Sequence, residues 1–268
     1  MYSRLFATLI AATLVAGCTQ KAPQPVVEQP TASEIPAWND GKDLSEYTAV
    51  QTTGALVIDG VLDEADWTNA TEAVMRNTLD GAPVPLKSTV KMLWDDEYLY
   101  FGYYCEDPDA WATFTNEDDP MWSEEVVEFF IDAEGTGFTY YEHEVNPLNV
   151  KVDLFINNAG KRLNARFTGF KDWDFSDALK QGVYVEGNGK NPGTDDKYWT
   201  VEIAVPFSDI WQVPSVPPSD GDMWRIGCYR IERGDPSTQD DDFYAAFSPT
   251  FNGSFHTPWQ FGKVYFKK

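Results

Sequence analysis

The sequence has 268 residues and a formal net charge of −23 at pH 7, because 43 acidic side chains outnumber 20 lysines and arginines. Aromatic residues make up 15% of the chain, which argues against disorder and provides for a folded core. The negative charge repels phosphate backbones and anionic lipid headgroups, so we expect neither nucleic-acid binding nor direct contact of the folded domain with a membrane surface.

The N-terminus has the pattern of a bacterial lipoprotein signal peptide. Arg4 precedes an apolar run, residues 5–16, that is shorter than the ~20 residues needed to span a bilayer. Small residues then precede Cys18, as in a lipobox, which predicts cleavage after residue 17 and a lipid on Cys18. An ordinary signal peptide with an incidental cysteine is the alternative.

The predicted lipid places the protein in the cell envelope, with its domain facing the periplasm or the exterior. If the host is Gram-negative, Thr19 after the cysteine is typical of an outer-membrane protein. Residues 18–51 are rich in Pro, Thr, Ala and Gln and poor in large apolar residues, which predicts a flexible tether. Residues 52–268 then form a single domain.

The domain shows many short apolar runs of period two, separated by turn signals, and few helical signals. We predict an all-β fold, an antiparallel β-sandwich of the immunoglobulin-like or jelly-roll type, with minor helical turns at Leu62–Thr68 and Ser208–Trp211. The predicted strands are Ala55–Ile58, Thr89–Trp94, Tyr98–Tyr104, Val126–Ile131, Tyr140–Val145, Val150–Ile156, Gly182–Glu186, Tyr198–Val205, Trp224–Ile231, Phe243–Phe247 and Phe261–Phe266.

Two cysteines remain after Cys18. Cys105 and Cys228 both lie in aromatic, strand-like runs. The oxidising compartment permits a disulfide, but a buried free thiol is equally compatible with such runs. The sequence leaves both states open.

Few residues suit enzymatic chemistry. The chain has two histidines, His143 and His256, which lack zinc-ligand spacing, and it has no Gly-x-Ser-x-Gly motif. Paired carboxylates are the serious alternative: Glu142 and Glu144 share one face of a strand, and a glycoside hydrolase uses two carboxylates ~5–9 Å apart. Carboxylate pairs are common in so acidic a chain, so this signal is unspecific.

Two aromatic residues lie in predicted loops. Trp122 follows Asp118-Asp119-Pro120, and Phe255 follows Asn252-Gly253-Ser254. A flat ring on a loop can stack on the C–H face of a sugar, while neighbouring amides and carboxylates take its hydroxyls. Such rings can instead close the ends of the sandwich.

A set of motifs in chain order resembles the family 9 carbohydrate-binding modules, over residues 54 to 268. The motifs are Ile58-Asp59-Gly60-Val61-Leu62-Asp63-Glu64-Ala65-Asp66-Trp67, Leu93-Trp94-Asp95-Asp96-Glu97-Tyr98-Leu99-Tyr100, Trp122 with Val126-Val127-Glu128-Phe129-Phe130-Ile131-Asp132, Tyr140-Tyr141-Glu142, and Phe261-Gly262.

The resemblance implies a β-sandwich that holds a sugar between two aromatic rings, here Trp122 and Phe255. Glu128 and Asn252 fall where the family carries residues that bond sugar hydroxyls. Where family members place a binding arginine, this chain has Glu144, an acceptor in place of a donor. His256 is a further candidate for a polar contact.

The resemblance also extends to calcium-binding sandwiches, so a structural Ca²⁺ is a further expectation, with ligands that the sequence does not identify. Some relatives bind haem, but this chain has no attachment motif and we expect no haem. The aspartates that offer hard oxygen ligands are Asp59, Asp63, Asp95, Asp96, Asp132 and Asp240-Asp241-Asp242, and most of them fit turns.

The sequence therefore predicts a non-catalytic, lipid-anchored carbohydrate-binding protein. Its expected partners are a saccharide, the membrane through Cys18, and polysaccharide-degrading enzymes. The alternatives are a glycoside hydrolase, and an accessory scaffold lipoprotein that has the fold but no longer binds sugar.

Overall fold

The computed structural model describes residues 41–54, 56–158, 173–187, 195–213, 215–234 and 242–268, and the backbone of 168–170. The predicted signal peptide, Cys18 and residues 18–40 of the predicted tether lie outside the described residues. Among the described residues, no helix is long and apolar enough to cross a membrane.

The described chain is almost entirely β-structure, as predicted. Four short 3-10 turns accompany the strands, at Ala65–Thr68, Met121–Ser123, Phe207–Asp209 and Pro258–Gln260. The strands are β1 (Glu46–Gln51), β2 (Ala73–Val74), β3 (Arg76–Asn77), β4 (Ser88–Trp94), β5 (Tyr98–Glu106), β6 (Val126–Asp132), β7 (Thr139–Val145), β8 (Lys151–Asn157), β9 (Thr168–Phe170), β10 (Lys180–Glu186), β11 (Tyr198–Pro206), β12 (Met223–Glu232), β13 (Phe243–Ala246) and β14 (Gly262–Lys267).

The strands form one continuous, curled sheet. Its main path runs β10-β11-β5-β4-β1-β14-β12-β6-β7-β8-β9. The inner faces of its two halves share one hydrophobic core, in which Phe101 of β5 stacks on Phe129 of β6 with ring centroids 4.7 Å apart. Two layers of sheet around one core make a β-sandwich, which confirms the predicted fold class.

The first strand corrects the predicted domain boundary. β1 lies within the segment assigned to the tether, yet it pairs in parallel with both β14 and β4. Tyr47 and Ala49 are buried, whereas Glu46 and Thr48 are exposed, so the strand alternates despite its polar composition. The folded domain therefore begins before residue 52, and the sandwich is antiparallel except at this strand.

The predicted strand at Ala55–Ile58 is wrong. Residues 56–58 form no strand, and Leu56 and Ile58 instead pack against a small apolar cluster around Trp67. The other predicted strands agree with the observed ones to within a few residues.

Glu202 of β11 fixes this irregular segment to the sheet. Its carboxylate accepts hydrogen bonds from Trp67 Nε1 at 2.8 Å and from the backbone N–H groups of Asp59 and Gly60 at 3.0 Å each. Gly60 has φ +93°, and a Cβ there would lie 2.5 Å from the backbone of Val183, so only glycine fits. Burial raises the pKa of Glu202 to about 7, even though the three donors lower it.

We expect Glu202→Ala to lower the free energy of unfolding by about 2–4 kcal/mol, because three donors, two of them in buried hydrogen bonds, lose their acceptor. Urea denaturation monitored by tryptophan fluorescence measures this change. Glu97→Ala, in the exposed turn between β4 and β5, is the control and should change stability by less than ~0.5 kcal/mol. Equal effects of the two substitutions would contradict the role given to Glu202.

Candidate functional site

The half of the sheet that contains β6, β7, β8 and β12 is covered on both faces. Along β6, Val127, Phe129 and Ile131 point into the main core, whereas Val126 and Phe130 belong to a second apolar cluster on the opposite face. Tyr140 of β7 and the loop residue Phe255 belong to that second cluster as well. We call this opposite side of β6, β7, β8 and β12 the outer face.

Trp122 and Phe255 both border the outer face. Trp122 is 39% exposed in the 3-10 turn that leads into β6, and its carbonyl oxygen accepts a hydrogen bond of 3.2 Å from Arg233 Nη2. The guanidinium of Arg233 lies 5.2 Å from the ring centroid of Tyr244, and that ring meets Phe255 edge-on at 6.1 Å. The two predicted stacking residues are therefore linked through Arg233 and Tyr244, which the sequence did not identify.

The Phe255 ring cannot stack on a ligand with both of its faces. Its ring stacks on Tyr229 of β12 at a centroid distance of 4.2 Å and an angle of 8°. One face of the ring is thus covered by the protein, and the other face is the one that a ligand could use.

Asn252 is engaged within its own loop. Its Nδ2 donates to the Thr250 carbonyl oxygen and to Thr257 Oγ1, and its Oδ1 accepts from the backbone N–H of Ser254. Both donors and one acceptor position of the carboxamide are used, while the Thr257 hydroxyl donates to the Ser254 carbonyl oxygen at 2.7 Å. In this conformation Asn252 shapes the loop before β14, and its predicted contact with sugar hydroxyls would require those bonds to break.

Glu128, Glu142 and Glu144 lie together on the outer face, and we call them the carboxylate triad. Glu128 of β6 is directly opposite Glu144 of β7 in the strand register, and Glu142 is two residues before Glu144. One oxygen of each side chain lies within 4.8 Å of the others. Their relative exposures are 2%, 3% and 1%, so all three carboxylates are removed from water.

Burial and mutual repulsion act in the same direction on the triad. The pKa of Glu128 and the pKa of Glu142 are each raised well above the usual value, first by burial and then by the neighbouring charge of Glu144. Like charges directly opposite in neighbouring strands destabilise a sheet. The arrangement therefore stores unfavourable electrostatic energy unless protons or a cation neutralise it.

His256 lies beside the triad. Its Nδ1 makes a 2.9 Å hydrogen bond with the hydroxyl of Tyr140 and is 3.8 Å from Glu142 Oε2. The imidazole also packs edge-on against Phe130. The structure thus brings three of the predicted site residues together, namely Glu128, Glu144 and His256, and adds Glu142 to them.

A second buried group of carboxylates differs because it contains its own cation. Asp107, Glu125 and Glu232 surround Arg230, whose Nη2 lies 3.0 Å from Asp107 Oδ2 and also bonds to Glu232. Arg230 Nη1 donates to Ser88 Oγ as well. This guanidinium compensates part of the negative charge, so the group is a structural ion-pair network.

Several aspartates predicted as possible calcium ligands serve turns in this structure. Asp59 Oδ1 accepts from the N–H of Val61, and Asp95 Oδ1 accepts from those of Glu97 and Tyr98. Asp132 accepts from the N–H groups of residues 136 and 137, and burial raises its pKa to about 7. Asp240 and Asp241 lie outside the described residues.

The remaining histidine and the two cysteines belong to the core. His143 points away from the triad, stacks on Phe129 and bonds to Asp153 and Gln181. Cys105 and Cys228 are both buried free thiols, which settles the disulfide question in favour of unpaired cysteines.

A pocket of about 250 Å³ lies away from the outer face, beside β4 and β5. None of the predicted site residues lines it. Its lining residues are Leu62, Glu72, Lys87, Thr89, Lys91, Gly102 and Tyr104.

Comparison with known proteins identifies the family. The sequence profile described as "Carbohydrate family 9 binding domain-like" matches residues 58–268, which include β6, β7 and the loop before β14. The chain belongs to this family of carbohydrate-binding domains. The resemblance predicted from the motifs is thereby confirmed.

Two of the curated relatives of this family 9 domain are long enzymes. The chain is 28% identical over 177 residues to endo-1,4-beta-xylanase A of Thermoanaerobacterium saccharolyticum, and 33% identical over 173 residues to exoglucanase XynX of Acetivibrio thermocellus. The matches cover 66% and 62% of this chain but only 12% and 13% of the two enzymes. The chain therefore spans little more than a tenth of the length of these relatives.

A solved structure has the same fold. The family 9 carbohydrate-binding module of Caldicellulosiruptor kristjanssonii, in complex with cellotriose, superposes with a TM-score of 0.53 at 18% identity, covering 83% of this chain and 94% of the module. At this identity the likeness establishes the sandwich fold.

Proposed function

We propose that this family 9 domain binds carbohydrate without catalysis, on the outer face beside Trp122. The observation that carries the proposal is the placement of Trp122, a 39% exposed indole at the border of the face that also holds Phe255, Glu128 and Glu144. An exposed indole can stack on a sugar ring while buried polar groups below it take hydroxyls. Family membership supports the same function.

We propose β-1,4-linked oligosaccharides of glucose or xylose as the ligand class. The solved relative binds cellotriose, and two of the curated relatives are a xylanase and an exoglucanase. Stacking with a few hydrogen bonds corresponds to a Kd between about 1 μM and 1 mM.

Loss of sugar binding is the second candidate, in which the protein is an accessory scaffold with a family 9 fold. Two observations favour it: Tyr229 covers one face of Phe255, and the loop engages both the amide nitrogen and the carbonyl oxygen of the Asn252 side chain. Glu144 also favours the scaffold candidate, because it stands where family members place a binding arginine, and a carboxylate cannot donate the hydrogen bonds of a guanidinium.

Glycoside hydrolysis has less support. The carboxylates of Glu142 and Glu144 are 3% and 1% exposed and lie in one cluster with Glu128. A hydrolase needs its two carboxyl groups on either side of an accessible glycosidic bond. A buried cluster on neighbouring strands leaves no room for a substrate between its members.

We also propose that lipid on Cys18 holds the domain in the cell envelope, at the outer membrane if the host is Gram-negative. The support is the sequence pattern of Arg4, the apolar run 5–16 and the small residues before Cys18. A saccharide bound by the domain would then be held near that surface, where polysaccharide-degrading enzymes could act on it.

Trp122→Ala should weaken binding of cellotriose or xylotriose at least 5-fold, because loss of the stacked indole costs at least about 1 kcal/mol of affinity. Isothermal titration calorimetry of the mature protein measures this. The matched control is Trp211→Ala: Trp211 is 60% exposed but contacts Tyr141 and Phe155, whose side chains lie on the inner face. It should bind as the wild type does.

Absence of binding at millimolar oligosaccharide to folded wild-type protein would support the scaffold candidate instead. Equal weakening by the two tryptophan substitutions would place the ligand elsewhere.

Cys18→Ser should abolish incorporation of labelled palmitate and move the protein from the membrane fraction to the soluble fraction. Labelling in cells followed by fractionation measures both. Cys105→Ser is the control and should keep the label, because that thiol is buried in β5. A labelled Cys18→Ser protein would contradict the proposed anchor.

A further inference from the structure

Arg233 directly follows β12, and its guanidinium bonds to two neighbouring segments at once. Its Nη1 donates to Asp242 Oδ2 at 2.6 Å and to the hydroxyl of Tyr244 at 2.7 Å, at the start of β13. Its Nη2 donates to the carbonyl oxygen of Trp122 at 3.2 Å. The donors of a guanidinium lie in one rigid fork, so they hold their acceptors in a fixed arrangement. The side chain is 15% exposed, so water competes little for these bonds.

The backbone that carries this guanidinium is itself held in place. The carbonyl oxygen of Arg233 accepts a hydrogen bond of 3.0 Å from Nε1 of Trp111, whose side chain is buried. The N–H of Gly234 donates to Asp242 Oδ1 at 3.2 Å, so one carboxylate engages both the guanidinium and the backbone that follows it. Arg233 therefore reaches towards Trp122 from a fixed point of the sandwich.

The 3-10 turn Met121–Ser123 needs a partner from outside, and we call it the Trp122 turn. The N–H groups of Ser123 and Glu124 donate to the carbonyl oxygens of Pro120 and Met121. The carbonyl of Trp122 lies beyond the last of these bonds, where a helical turn has no donor of its own. Arg233 supplies a charged donor there, which makes a stronger bond than a neutral one. This bond holds the backbone from which the exposed indole projects.

The same guanidinium also reaches the second predicted stacking residue. It lies 5.2 Å from the ring centroid of Tyr244, and the Tyr244 ring meets Phe255 edge-on at 6.1 Å. On its other side the Phe255 ring stacks on Tyr229. The position of Trp122 relative to Phe255 therefore depends on one side chain that contacts both segments.

We propose that Arg233 is a positioning residue of the sugar site, which fixes Trp122 relative to Phe255 before a ligand binds. The inference rests on the proposed function, because a fixed indole affects affinity only if a saccharide stacks on it. A ring that is already ordered loses less conformational entropy on binding than a mobile one. Arg233 acts through Trp122 and needs no contact with the saccharide.

Arg233→Gln should weaken binding of cellotriose about 3- to 10-fold in a calorimetric titration, because ordering of the Trp122 turn then opposes binding. Arg233→Lys keeps the charge beside Asp242 but lacks the planar fork, so it should weaken binding as well. The lysine variant also carries the test if Arg233→Gln does not fold. The matched control is Arg76→Gln, which removes an exposed arginine from β3 and should bind as the wild type does.

A double-mutant cycle separates positioning from direct contact with the saccharide. In a Trp122→Ala background, Arg233→Gln should cause no further loss of affinity, because the indole that Arg233 positions is already absent. Additive losses would mean that Arg233 acts on the saccharide or on another part of the site, and they would overturn the proposal. Full binding by Arg233→Lys would overturn it too, because charge alone would then suffice.

Hydrogen exchange measured by mass spectrometry tests the same contact without a ligand. Arg233→Gln should speed exchange of the backbone amides of residues 119–124 at least about 5-fold, whereas Arg76→Gln should leave them unchanged. Wild-type exchange in Arg233→Gln would contradict the positioning role. If the folded wild type binds no saccharide and exchange still responds as expected, the proposed function fails and the positioning of Trp122 by Arg233 stands.

Discussion

The cross-strand pair of Glu128 and Glu144 is the constraint on which the outer face depends. The register of β6 and β7 brings the two carboxylates together, and the register cannot change without moving the core residue Phe129 to the wrong side. Hydrophobic packing on the inner face therefore imposes electrostatic repulsion on the outer one. Protons or a cation must offset that repulsion, and either choice determines what the face can bind.

Two buried acidic groups among the described residues differ in their surroundings. Arg230 lies among Asp107, Glu125 and Glu232 and makes that group part of the framework of the sandwich. Beside the triad, the imidazole of His256 lies 3.8 Å from Glu142. The triad therefore has a titratable neighbour, whereas the other group contains a permanently charged one.

The sequence predicted most of the fold because the strands alternate strongly and end at turn residues such as Asp95 and Asn146. It missed β1, where only Tyr47 and Ala49 carry the apolar signal and the pairing is parallel and distant in the chain. The candidate site was predicted in part. Spacing alone placed Glu142 and Glu144 on one face, but the partner strand, the burial of both groups and the hydrogen bonds of Asn252 depend on tertiary structure.

The most direct measurement is a crystal structure of the protein soaked in cellotriose. The account predicts a sugar ring in van der Waals contact with the indole of Trp122, at the border of the outer face. An ordered sugar bound away from Trp122, or no ordered sugar at millimolar cellotriose in crystals that leave Trp122 open to solvent, would contradict it.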